Sequence, residues 1–197
     1  MFGLFKRTPI VHEPIAAQRQ DVLDNIDGMF RDILIPQILE GLDCDYLPNA
    51  IGDFGTFDNP IPVNGSIGEV KYLGKLRGET GKPVLFHRIG SRTSKLTNNP
   101  VDCYEVVCLD GTQWGYLYFD FYHPRRSNLA PKGYTLMPYD KKLGVDIPFA
   151  FGCNSLVDNF PYGLPLAFID VYGERLGKSL AEKLNPILET ICFQKNS

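Results

Sequence analysis

The chain has few residues suited to chemistry, and they are scattered. There are three histidines, His12, His87 and His123, and five cysteines. Carboxylates and arginines gather between residues 101 and 128. His87 sits mid-strand in KPVLFHRIG, and His123 ends the run Asp120-Phe121-Tyr122-His123-Pro124-Arg125-Arg126. If strands 83–90 and 114–122 are neighbours, His87, Asp120 and His123 could converge. Two imidazoles and a carboxylate suffice to hold a catalytic metal with an open position, with Asp53 or Asp58 as a further ligand. That set predicts a metal-assisted hydrolase. Asp120 and His123 differ by an odd number, however, so a regular strand would face them opposite ways. Convergence needs the chain to turn at His123, where Pro124 follows. A strand-end histidine bonded to its neighbours is the simpler reading.

A second constellation lies in Val101 to Phe121, VDCYEVVCLDGTQWGYLYFDF. Asp110-Gly111 between two arms rich in Val, Tyr and Phe predicts a hairpin turning within 109–113. Pairing the arms places Val101, Cys103, Glu105 and Val107 on one face with Trp114, Tyr116, Tyr118 and Asp120. The other face carries Tyr104, Val106, Cys108, Leu117, Phe119 and Phe121 and reads as core. Aromatic rings with polar tips beside two carboxylates suit a small-molecule site or a protein interface. The competing reading is an ordinary sheet face covered by a helix. The expected ligand-binding set is Glu105, Trp114, Tyr116, Tyr118, Asp120, His123, Arg125 and Arg126. The two arginines could clamp a carboxylate or phosphate.

Other chemistries fail on their signatures. Leu76 to Lys82, LRGETGK, has Leu where a phosphate loop needs its first Gly, and Pro83 where Ser or Thr would hold Mg²⁺. No G-x-G-x-x-G, G-x-S-x-G or H-E-x-x-H occurs, so no cofactor is expected. Lys71, Lys75, Arg77, Lys82, Arg88, Arg92, Lys95, Arg125 and Arg126 make residues 71–126 basic. The chain is nonetheless acidic, with a net charge of -3. No RNP-like or helix-turn-helix pattern is present, so nucleic acid is not the expected partner. A solvated basic edge that discourages strand pairing accounts for these charges.

The five cysteines, Cys44, Cys103, Cys108, Cys153 and Cys192, are odd in number and lack C-x-x-C spacing. Free thiols in a reducing cytoplasm are expected. Cys103 or Cys153 could act as a nucleophile with His87 or His123 as base, but a buried inert thiol is the commoner case. The apolar run in MFGLFKRTPI is too short for a signal peptide, and no 18 consecutive apolar residues occur.

Several elements must position these residues within one domain spanning 1–197. Val22, Ile26, Met29, Phe30 and Ile33 predict an acidic N-terminal helical region over 15–42, broken near Pro36. Residues 43–66 read as an ordered irregular connection pinned by Phe54, Phe57, Ile61 and Val63. Residues 67–90 read as a hairpin turning at 78–81, followed by the hairpin at 101–121. Weaker strands are expected at 134–137, 147–151 and 166–171, within a β-rich body over 67–171. Leu176, Leu180, Leu184, Leu188 and Ile191 predict a core-packed C-terminal helix over 174–192, kinked at Pro186.

The expected fold is α+β, an antiparallel meander sheet with an N-terminal and a C-terminal helix packed on it. Residues 1–60 carry four Lys/Arg against ten Asp/Glu, and the remainder sixteen against thirteen. An acidic arm and a basic body could attract within one chain or across a homodimer. The preferred function is a cytoplasmic binding or protein-interaction domain without chemistry of its own. Its partner, small molecule or protein, is left unspecified.

Overall fold

The computed structural model describes residues 45–97, 99–123, 126–137, 151–191 and 193. The acidic helical region expected over 15–42 lies outside them, as do Arg125, Cys44 and Cys192. The central hairpin forms where Asp110-Gly111 predicts it. Strand β4 (Pro100–Cys108) and strand β5 (Gly115–Asp120) pair antiparallel, with Glu105 opposite Tyr116 and Cys103 opposite Tyr118. The turn closes when the Cys108 N–H donates to the Thr112 carbonyl and the Gly111 N–H to the Cys108 carbonyl. Gly111 takes φ 85°, the left-handed backbone that the turn demands and Gly supplies. Strand β3 (Val84–Thr93) lies antiparallel on the other side of β4, with a bulge between Arg88 and Gly90.

The sheet departs from the expected meander at both margins. Strand β1 (Ile61–Pro62) runs parallel to β5, and strand β7 (Phe151–Cys153) runs parallel to β3. The five-stranded order is β1-β5-β4-β3-β7, so the sheet is mixed. Strands of two and three residues are too short to show alternation in sequence. Tertiary contacts create them, as when the Val63 N–H donates to the Asp120 carbonyl. Strand β2 (Leu76–Arg77) pairs separately with strand β6 (Thr135–Leu136).

A second correction concerns residues 67–76, expected as a hairpin arm. Residues Gly65–Lys75 form helix α1 instead. Glu69, Tyr72, Leu73 and Leu76 are fully buried, and their i, i+3, i+4, i+7 spacing is that of one helical face. Gly68 lies where a Cβ would come 2.6 Å from Asn64 Oδ1, so a larger residue there would make the Asn64 side chain shift. Helix α1 packs on the back of the sheet. Tyr72, Leu73 and Leu76 meet Phe86, Tyr104, Val106, Leu117 and Phe119, with Ile61 and Val63 beside them.

Helix α2 (Leu164–Thr190) covers part of the front of the sheet. It begins ten residues before the expected start and absorbs the strand expected at 166–171. Its break falls at Gly173, which takes φ 76° and ψ 170°, and not at Pro186. Gly177 then packs directly on the Phe168 carbonyl across the bend. Leu164, Phe168, Leu180, Leu184 and Leu188 bury against Leu85, Val107 and Cys153. Leu176, expected in this stripe, is 53% exposed because the bend at Gly173 turns it outward.

Candidate functional site

The alternation of β4 and β5 places Glu105, Trp114, Tyr116 and Tyr118 on the front face, as the hairpin predicts. Helix α2 covers only one half of that face. At the boundary a polar cluster forms. His87 on β3 stands directly opposite Glu105 on β4. The Val157 N–H donates to His87 Nδ1 at 3.0 Å, so the neutral imidazole carries its proton on Nε2. Nε2 then donates to Glu105 Oε2 at 3.0 Å. Glu105 Oε1 accepts from the Trp114 indole at 2.8 Å. Phe160 stacks on the imidazole with centroids 4.3 Å apart, and packs edge-on to Trp114.

Cys153 completes a row of three, since β7 sets it beside His87. Glu, His and Cys in line across adjacent strands resemble the parts of a nucleophilic triad in composition. Their hydrogen bonds differ from one. Both imidazole nitrogens are engaged, and neither faces the thiol as a base. The Cys153 thiol is fully buried and donates to the Ser155 carbonyl. The cluster acts as a clasp that holds residues 153–160, and through them α2, on the sheet.

Asp120 and His123 form a separate pair. His123 Nε2 lies 3.4 Å from Asp120 Oδ2, both groups are buried, and Asp120 Oδ1 accepts the Tyr122 N–H. The turn after Asp120 thus occurs, but it brings His123 to Asp120 without His87. Asp120 lies four residues along β5 from Tyr116, the partner of Glu105, which is roughly 13 Å of strand. Asp53 and Asp58 are exposed in the loop before β1. Among the described residues no group of three His, Cys, Asp or Glu is placed to hold a metal ion.

The uncovered half of the front face carries a different chemistry. Tyr116 is 47% exposed and Tyr118 half-buried. Phe57, from the loop before β1, meets Tyr118 edge-on with centroids 5.6 Å apart. The Arg92 guanidinium sits 4.7 Å over the Phe57 ring, a cation–π contact. The loop is anchored by the Tyr118 N–H donating to the Gly55 carbonyl and by Phe54 in the core. Burial pushes the Cys103 thiol up, while the Tyr118 hydroxyl bonded to it works in the other direction. Ile89 at the bulge is also exposed.

The seven described residues of the expected set do not form one surface, and Arg125 lies outside the described residues. Glu105 and Trp114 belong to the clasp, Tyr116 and Tyr118 to the uncovered half, and Asp120 and His123 to the buried strand end. Arg126 lies on the opposite side, where its Nη1 reaches the Lys71 carbonyl of α1. Phe57 and Arg92 join the surface without a sequence signal, because the loop that carries Phe57 folds back over 60 residues of chain. A further buried cluster escaped sequence reading on the back face. Arg88 makes two parallel bonds to Asp102, 2.7 and 2.8 Å, and the Tyr104 hydroxyl donates to Glu69 Oε2 at 2.9 Å. Burial, and then the charge of Asp102, push the Glu69 carboxyl up to about 9, so it is protonated at neutral pH. Its Oε1 has no donor facing it and Asp102 beside it, as a hydroxyl that must donate requires.

Comparison of the chain with protein families, with curated proteins and with solved structures finds no match.

Proposed function

We propose that this chain is a non-catalytic protein-interaction domain whose binding surface is the uncovered half of the front face. The observation that carries the reading is the division of that face. Where His87 and Glu105 sit, helix α2 and the clasp close it. Beyond them, Phe57, Ile89, Arg92, Tyr116 and Tyr118 present aromatic, aliphatic and cationic groups to solvent. Tyrosine and arginine on a rigid sheet offer large contact area at small entropic cost, the composition of interface hot spots.

The partner is a protein, and the compartment is the cytoplasm. Three unpaired cysteines, Cys103, Cys108 and Cys153, support a reducing environment. No helix among the described residues is long and apolar enough to cross a membrane. The test is the size of the native complex. Wild-type protein in an extract of its own cells should elute above the mass of the free chain. Tyr116→Ser/Tyr118→Ser should elute as the free chain while keeping its melting midpoint. Unchanged elution of a folded double variant would overturn the assignment.

A further inference from the structure

Strand β3 is ten residues long, but β7 pairs with it only at Leu85, Phe86 and His87. Beyond the bulge, residues 90–93 continue a regular ladder with β4, from Gly90 opposite Cys103 to Thr93 opposite Pro100. Their outer edge has no strand partner among the described residues, and Ser91, Arg92 and Thr93 are exposed. Unpaired N–H and C=O groups in a regular row are a template for one more strand. The charged residues of the strand segment itself are of one sign. Residues 88–97 contain Arg88, Arg92 and Lys95 and no carboxylate. Arg88 is neutralised by Asp102, whereas Arg92 is held over the Phe57 ring and Lys95 is exposed.

We propose that the outer edge of β3 at residues 90–93 accepts an extended acidic segment of a protein partner as an added β-strand. This rests on the interaction-domain reading and specifies its partner and binding mode. Backbone hydrogen bonds to residues 90–93 supply affinity. Arg92 and Lys95 select acidic side chains, and the exposed Ile89 at the bulge adds an apolar contact; Tyr118 stands on β5, two strands in from this edge. The same positive charges repel a second copy of this edge, so one device serves both against self-association and for an acidic partner. That resolves the basic edge of the sequence into a selective one.

The probe is an acetylated and amidated octapeptide of alternating Glu and Val, titrated into the ¹⁵N-labelled full chain. Amide shifts should saturate at residues 89–93. N-methylation of alternate peptide residues, made in both phases, should abolish binding in one phase and spare it in the other. A Lys-Val octapeptide should not bind, and Arg92→Glu/Lys95→Glu should weaken the acidic peptide at least tenfold. Three results would each overturn the proposal: unmoved amides at 89–93, equal binding of both N-methylated peptides, or equal binding of the Lys-Val peptide. Shifts confined to Tyr116 and Tyr118 would overturn the edge and leave the surface reading standing. Saturation at 89–93 that persists in Tyr116→Ser/Tyr118→Ser would place binding on the edge and count against the aromatic face.

Discussion

At the residue scale, two buried carboxyls do opposite work. Glu105 is the common acceptor for His87 and Trp114. Glu105→Ala removes the acceptor shared by the buried His87 and the half-buried Trp114 and should cost about 2–5 kcal/mol in denaturant melts. Glu105→Gln is not a mild change, because its amide nitrogen must face one of those donors. It too should destabilise, and a Gln variant as stable as wild type would contradict the hydrogen-bond roles given to His87. Glu69 behaves differently, since it is held protonated. Unfolded, it titrates near 4.5, and folded at about 9. The native state therefore holds an extra proton across that window, and the group's contribution falls as pH rises through it. The contribution is complete below 4.5 and lost above about 9. Glu69→Gln keeps the bonds to Tyr104 and Asp102 without the proton. Its stability relative to wild type should rise from pH 5 to pH 9, by roughly 3 kcal/mol at pH 7. Parallel pH profiles would show that Glu69 is not the titrating group.

At the scale of elements, helix α2 is divided by Gly173 into two segments, each of which buries leucines or Phe168 in the same core cluster. Leu184→Ala, at a fully buried site, should cost about 2–5 kcal/mol. Leu176→Ala should stay within about 0.5 kcal/mol, because that side chain is exposed. Gly173→Ala should cost about 1–3 kcal/mol, since φ 76° with ψ 170° is a glycine conformation. Equal effects at 176 and 184 would contradict the bend. The hairpin of β4 and β5 was legible because its turn chemistry and its alternation agree. Helix α1 was not, because Glu69 interrupts an otherwise apolar helical stripe. A protonated, buried glutamate reads as polar in sequence and behaves as core in the fold. The early start of α2 had a signal in Pro165, a proline in the first helical turn. The site was legible in part. Hairpin pairing put Tyr116 and Tyr118 on one face, but no local pattern announces that Phe57 or Arg92 will join them.

At the scale of the whole molecule, and among the described residues, the back of the sheet packs on α1, helix α2 lies over part of the front, and a basic edge borders the sheet at β3. The chain's net charge of -3 hides this local sign, as the basic residues near β3 are outweighed elsewhere. The central claim is that the open half of the front face, and not the sheet in general, meets a protein partner. Site-specific photo-cross-linking in the protein's own cells tests it most directly, with benzoylphenylalanine replacing Tyr118 or, as a control, the exposed Ile67 of α1. The account predicts a discrete adduct from position 118 that excess wild-type protein removes and excess Tyr116→Ser/Tyr118→Ser does not, with no such adduct from position 67. Identical adducts from both positions, or competition by both proteins alike, would contradict it.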